Sequence, residues 1–395
     1  MTSALSGIKV LDLAGIGPAS FAAMMLGDMG ADVLKINMPP GASDRGVGGG
    51  MTFVDGFDPG TIRNKKNIAI NLKTEAGQRL FHQLAETTDI IIEAFRPGVM
   101  DRLGVGYEAI SKINPKIIFC SVSGYGQDGP YRDLVGHDNN YAAMGGALGL
   151  IGYSPDDPPV LVQTVLADMT TGVLQSAVGI LLAICAREKT GRGQQVDISL
   201  TDGVVFLLNG VPEAAEYLMS GVVPQRGQGI FGGNQPAYAV YQTGDDKYLT
   251  IGCLEPHFWL KLCQVLDRED LIPHQYAESP KKEEVLQELK QIFRTRNRDE
   301  WFELLSKADV PVGKVLDTDE VFSDPNVLHR RMVFEVDHPR FGKMKQIGLP
   351  IKLSDTPWQV RIPAASLGEH TDEVLSSLGY SRDDIDALRQ ERVIY

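Results

Sequence analysis

The stretch IKVLDLAGIGPASFAAMMLGDMGADVLKI, residues 8–36, decides the fold. Residues 8–13 alternate as a strand does, residues 18–29 carry the small-residue-rich spacing of a helix, and residues 31–36 return as a second strand. Strand, helix and strand within about thirty residues read as a βαβ unit. Outward from it the alternation continues. A short strand is expected over residues 68–72. A helix follows over residues 74–85, opened by the N-cap Thr74 with its acidic neighbour Glu75. Buried strands are expected at residues 89–93 and 117–122, separated by a helix over residues 107–113 that stops before Pro115. This pattern predicts a mostly parallel, doubly wound α/β sheet.

A long helical stretch, residues 165–187, comes next, and the turn Thr190-Gly191-Arg192-Gly193 leads into a strand over residues 194–199. After Asp202 lie another helical region and a glycine-rich loop, residues 227–233. Residues 238–253 read as antiparallel strands about the turn Gly244-Asp245-Asp246. Residues 255–308 are helical and charged, with a solvated face at residues 281–298. A strand pattern resumes at residues 346–353. The expected organisation is a large first domain (1–200 and 345–395), a smaller α+β domain (225–330) and linkers at 201–224 and 331–344. No internal repeat is visible.

The chain has 395 residues, 43% of them hydrophobic and 23% charged, an ordinary balance for a globular protein. Its 42 glycines are scattered through short turns, which suits a loop-rich enzyme. A net charge of −13 argues against nucleic-acid or anionic-membrane partners, so an anionic ligand needs a local cluster of Lys and Arg. Cys120, Cys185, Cys253 and Cys263 lack C-x-x-C spacing and read as buried, reduced thiols. No signal-peptide pattern opens the sequence, and no apolar run reaches the ~20 residues of a membrane span. The segment 172–186 reads as a buried helix, and a cytoplasmic protein is expected. The seven histidines form no H-x-x-x-H pair, so no metal is expected.

Gly15-Ile16-Gly17-Pro18-Ala19-Ser20 sits where a dinucleotide fingerprint would, between strand and helix. Ser20 replaces the third glycine, Pro18 interrupts the turn, and the second strand ends in Lys35-Ile36-Asn37 without a ribose-binding acid. Close packing at the first βα turn is the better reading. Gly46–Gly50 has no following Lys-Ser/Thr and reads as a mobile loop, not a phosphate cradle.

Several ordered segments resemble the family III CoA-transferases (CaiB/BaiF), and among them the α-methylacyl-CoA racemases. They are GIKVLDLAGIGPAS, RNKKNIAINLKTEAG, EAFRPGVMDRLGVGYE, SGYGQDGPY, GHDNNY, EKTGRGQQVDISLTD and LEPHFW. The resemblance runs from residue 7 to about residue 358. It implies a large Rossmann-like domain and a smaller α+β domain, with two subunits interlocked as a homodimer. It further implies an acyl-CoA substrate and no cofactor beyond the CoA moiety itself. Arg63, Asn64, Lys65, Lys66, Arg96, Gly136, Asp138 and Tyr141 are then expected to contact CoA, with the cations on its phosphates. Met38 departs from the family, which often carries an acid or arginine in that stretch, so the adenine-end contacts are expected to differ.

Asp168 lies in an apolar stretch at the start of a helix, where burial raises a carboxyl pKa and a helix N-terminus lowers it. The family's essential aspartate falls on this position. An unperturbed histidine titrates near neutrality and suits proton exchange with a weak carbon acid, a role open to His137; Gly136-His137-Asp138 resembles the racemase branch. Glu255 matches the racemase glutamate that pairs with that aspartate. From the residues alone, Asp168 reads equally as a helix cap, His137 as a hydrogen-bonding loop residue and Glu255 as a first-turn acid. The expected reaction is α-carbon epimerisation of a 2-methylacyl-CoA through an enolate. Amides at the start of the Asp168 helix would hold the enolate oxygen. The alternative is CoA transfer through an aspartyl-CoA thioester on Asp168, shielded by the loop 227–235. A non-catalytic CoA-binding module is the third reading.

Overall fold

The structure, a computed structural model, describes residues 3–15, 17–40 and 63–395. Ile16 and the expected loop Gly46–Gly50 lie outside the described residues. The chain divides into two compact units: residues 1–145, 162–204 and 325–395, and residues 146–161 with 205–324.

In the first unit, β1 (Lys9–Asp12), β2 (Asp32–Asn37), β3 (Lys65–Ala69), β4 (Ile90–Glu93), β5 (Ile118–Ser123) and β6 (Gln195–Ser199) form one sheet. Its order is β3-β2-β1-β4-β5-β6, and every pairing is parallel. The direction of winding reverses between β1 and β4, the place where open α/β sheets present their ligand crevice. Strands β4 and β5 are buried along their whole length, as a strand covered on both faces must be. The expected parallel, doubly wound α/β sheet is thus present.

One face of the sheet carries a core built from Leu11, Ile68, Phe81, Ile91, Phe119 and the late residues Leu375, Ile385, Val393 and Ile394. Ile394 forms an isolated antiparallel bridge to Ile70, and the Asn71 amide donates to the Val393 carbonyl at 2.7 Å. On the other face Met25, Met29, Val173 and Ala177 pack with Leu349 and Trp358. Thr74 caps the Glu75–Glu86 helix by accepting the Gly77 amide at 3.1 Å.

The helical stretch after Val165 differs in kind from the expected one. Asp168–Gln175 is wound as a π-helix and Ser176–Thr190 continues as an α-helix. Only Ser176, Ala177, Ile180, Ala183 and Arg187 of the second part are buried, a spacing that marks a single face. The opposite face leaves Val178, Leu181, Leu182 and Cys185 exposed. The expectation of a buried helix with a buried thiol is therefore half right: the sequence is apolar all round, but the unit covers one side. The run Asp168–Thr190 is also the one helix, among the described residues, with the length and composition to cross a bilayer. Cys120, Cys253 and Cys263 are buried as expected, and no disulfide is formed among the described residues.

The second unit has an antiparallel sheet of β7 (Asn234–Gln235), β8 (Tyr238–Gln242), β9 (Tyr248–Gly252) and β10 (Val312–Lys314), ordered β10-β9-β8-β7. Helices Pro256–Val265, Lys281–Phe293 and Arg298–Lys307 cover it. Tyr241, Trp259 and Trp301 fill the core, and each polar tip finds a carbonyl (Pro236 at 2.7 Å, Leu271 at 3.1 Å, Phe293 at 2.8 Å). The expected solvated face at 281–298 is interrupted by Lys282 and Arg298, both buried.

The stretches expected as linkers carry regular structure. Residues 201–224 include helices Leu200–Leu207 and Pro212–Ser220. Residues 331–344 include β11 (Val333–His338), which among the described residues pairs only with β12 (Gly342–Ile347), in a two-stranded hairpin.

Candidate active site

The turn after β1 is closed from within by the protein's own charges. Asp12, wholly buried, accepts Lys65 Nζ at 2.7 Å, Ser20 Oγ at 3.1 Å and the Ala14 amide at 3.0 Å. Lys35 Nζ lies 3.5 Å from the same carboxylate and donates to the Ala14 carbonyl at 2.6 Å. Burial alone would raise the Asp12 pKa, but Lys35 and Lys65 outweigh it and hold the carboxyl below its usual range. The space a dinucleotide's phosphates would need is thus filled by an internal ion network.

This network runs against the expectation that Arg63, Asn64, Lys65 and Lys66 contact CoA, because the first three are buried. Lys65 and Lys66 belong to β3, the edge strand beside β2. Lys65 is spent on Asp12 and Ser20. Arg63 is 2% exposed and grips Asp28 through Nη2 at 2.7 Å, with Nη1 on the Ile347 carbonyl at 2.9 Å. Asn64 bonds Asp28 and the Gln359 carbonyl, both at 2.7 Å. A phosphate would have to displace buried carboxylates to reach these donors. Lys66 is the exposed member, and it pairs with Glu373 at 2.6 Å.

Arg96 is exposed just past β4, as expected. It lines a cavity of about 100 Å³ with Glu93, Tyr107, Phe119, Ser121 and Gln127. Gly98 adopts φ 78°, and a Cβ there would stand 3.0 Å from Arg132 Nη2 and 3.4 Å from Arg102 Nη1. Arg102 and Arg132 therefore gather beside the Arg96 turn, a grouping that residues spread over 36 positions do not announce. Glu93, 4% exposed, was not singled out from the sequence either. Burial pushes its carboxyl up to about 7 despite hydrogen bonds from Ser121 and the Phe95 amide, and Asp101 and Asp197 add negative charge nearby. Its signal was an acid closing the apolar run Ile90-Ile91-Ile92.

His137, Asp138 and Asp168 are brought together. His137 is exposed and precedes the helix Asp138–Met144, with its amide donating to Asn140 Oδ1 at 2.9 Å. The Asp168 amide donates to Asp138 Oδ1 at 2.9 Å. Burial raises the Asp168 carboxyl to about 6; the Asp138 charge adds to the rise and the His137 charge opposes it. Tyr141, whose phenol burial pushes up to about 12 with further contributions from Tyr125 and Asp168, completes the cluster. Its hydroxyl donates to the Gly136 carbonyl, and its ring fills the space a Cβ would need at Gly124 or Gly136. Gly136 and Tyr141 thus hold each other and wall the site.

Two local features fix Asp168. Val165 has φ 48°, a left-handed conformation that a β-branched residue adopts at a cost of about 1–3 kcal/mol. The π-helical turns that follow pack Gly172 so tightly on Pro18 that a Cβ would lie 2.3 Å from the proline ring. One expectation fails here. The Asp168 amide is spent on Asp138 and the Met169 amide on the Val165 carbonyl at 3.0 Å, so neither is open to an enolate oxygen. Glu255 belongs to the second unit, exposed and preceding the Pro256–Val265 helix. Gln275 ties down the backbone before it through the Cys253 and Leu254 carbonyls, at 2.9 and 2.8 Å. No cluster of His, Cys, Asp or Glu suited to a metal occurs among the described residues.

The profile of CoA-transferase family III matches residues 5–371. The chain belongs to this family. Family III relatives divide by reaction at nearly equal similarity. Human α-methylacyl-CoA racemase is 31% identical, over 99% of this chain and 97% of its own length. A formyl-CoA:oxalate CoA-transferase of Streptomyces avermitilis is 32% identical over the full length of both. A crystal structure of a CaiB/BaiF family protein from Brucella suis superposes with a TM-score of 0.81 at 30% identity, covering 96% of this chain and all of that one. The family, read from the ordered motifs, is borne out; the reaction is not fixed by kinship.

Proposed function

We propose that this family III enzyme epimerises the α-carbon of a 2-methyl-branched acyl-CoA by two-base proton transfer. The observation that carries the reading is the pairing of exposed His137 with Asp168, whose carboxyl stands at about 6, near the working range of a proton-exchanging group. Neutral His137 takes the α-proton from one face, and the electron pair moves onto the thioester oxygen as an enolate. Protonated Asp168 returns a proton to the other face. The two groups finish with their protons exchanged, set for the opposite enantiomer. Glu255 is proposed as a further catalytic carboxylate, on the strength of the resemblance. With the Asp168 and Met169 amides engaged, the Asp138 and Asn139 amides are the donors beside His137 left for the enolate oxygen.

For CoA's phosphates the exposed guanidiniums of Arg96 and Arg102, with the half-buried Arg132 beside them, replace the buried Arg63 and Lys65 in the proposal. The substrate is otherwise the only cofactor carrier required. The protein works as a homodimer, which the exposed apolar faces at Leu181 and Leu182 and at Leu218 and Met219 support.

The competing reading, CoA transfer with Asp168 as nucleophile, is favoured by the transferase relatives. Incubation of a 2-methylacyl-CoA in D2O separates the two. Rapid α-deuterium uptake, lost in His137→Ala, is expected. No uptake, with a hydroxylamine-sensitive adduct on Asp168 and CoA transfer to a free acid, would establish the transferase instead.

A further inference from the structure

Asp138 makes a contact that a ligand-binding residue would not need. Its Oδ1 accepts the backbone amide of Asp168 at 2.9 Å, across 30 positions of sequence. The amide is that of the residue whose own carboxyl does the chemistry. Three residues earlier Val165 is held at φ 48°, so the chain enters Asp168 from a conformation it would leave if released. An acceptor bearing a full charge is the strongest tether available to an amide at such a point.

We propose that Asp138 is the positioning residue for Asp168, anchoring its backbone amide and setting a like charge beside its carboxyl. The inference rests on the proton-transfer reading of Asp168 but concerns a different residue and a separate measurement. The groups facing Asp168 make the assignment specific. On the helix beginning at Asp138 they are Asp138 itself, which raises the carboxyl, and Tyr141; His137 before it lowers it. The Pro18–Asp28 helix packs on the π-helical turns with one carboxylate, Asp28, and that is neutralised by Arg63 at 2.7 Å. On β6, Asp197 answers to the Gln127 amide, Asp128 and Asp202. Asp138 is thus the negative group set against Asp168.

The two roles separate in substitution. Asp138→Asn keeps an oxygen for the Asp168 amide but removes the charge; Asp138→Ala removes both. Full-length protein labelled with 13C at aspartate carboxyls, with the Asp168 signal assigned through Asp168→Asn, gives the titration midpoint of Asp168 without substrate. We expect Asp138→Asn to lower that midpoint by about one pH unit. His137→Gln should move it the other way. Asp138→Ala should lower it too and speed hydrogen exchange at the Asp168 amide. Where wild-type protein exchanges the substrate α-proton, the limb of its pH–rate profile should follow the midpoint in Asp138→Asn. A midpoint unmoved in folded Asp138→Asn overturns the proposal, whatever the activity. Absent α-proton exchange in the wild type would overturn the racemase reading alone, because the titration is read without turnover.

Discussion

Glu93 ends β4 with a carboxyl that the sheet buries and pushes from 4.5 up to about 7. The folded chain keeps a proton there that the unfolded chain has already released. Its contribution to stability is therefore present at low pH and lost as pH rises from about 4.5 to about 7, by about 3 kcal/mol in all. Glu93→Gln still offers an oxygen to the Phe95 amide and carries no charge. Urea unfolding at pH 5 and pH 8 should show the variant losing less stability than the wild type; equal losses would sink the assignment. The arginines give a second test at this scale. Arg102→Ala and Arg132→Ala should raise KM for an acyl-CoA several-fold with little change in kcat, whereas a phosphate role for them fails if KM is unmoved. Legibility differed sharply among these residues. Asp168 and His137 were legible through the resemblance of the ordered motifs; by their own context they read equally as a helix cap and a hydrogen-bonding loop residue. The meeting of Asp138 with the Asp168 amide depends on two loops arriving together, and nothing local in either segment encodes it.

At the scale of elements, the segment 63–66 shows how a cluster of charge misleads. Lys and Arg in a row suggest a solvated loop, because charge is seldom buried. Here β3 places them over Asp12 and Asp28, and each buried cation has a carboxylate waiting. The charges belong to the joints between β3, the first βα turn and the Pro18–Asp28 helix. Arg63→Ala should strand the Asp28 carboxylate and lower unfolding free energy by about 3–5 kcal/mol. Chemical denaturation measures this, and a loss below 1 kcal/mol would show the pair to be idle. The π-helical winding at Asp168–Gln175 was equally hidden, since apolar periodicity does not distinguish a wide turn from an α-helical one. By contrast the Thr74 cap and the β8–β9 hairpin were readable, because the residues that form them lie within a few positions of each other.

For the whole molecule, alternation of strand and helix sufficed to read the parallel sheet, since each crossover has one favourable hand and each buried strand an apolar run. What alternation could not reveal was surface left bare. Leu218 and Met219 are both 84% exposed, and the Ser176–Thr190 helix shows Leu182 at 64%. Light scattering at low concentration should give a dimer mass for the wild type, and Leu218→Asp with Met219→Asp should shift it toward the monomer without unfolding either unit. A monomeric wild type would leave those side chains without the partner proposed for them. The bridge from Ile394 to Ile70 bears on how the chain comes to exist at all. During synthesis β1 to β5 leave the ribosome long before Val393 and Ile394, yet those late residues seal the same apolar face. The second unit, drawn from the middle of the chain, is complete first. Nascent protein must therefore carry an unsealed sheet until Val393 and Ile394 have emerged, a window in which a chaperone would find its client.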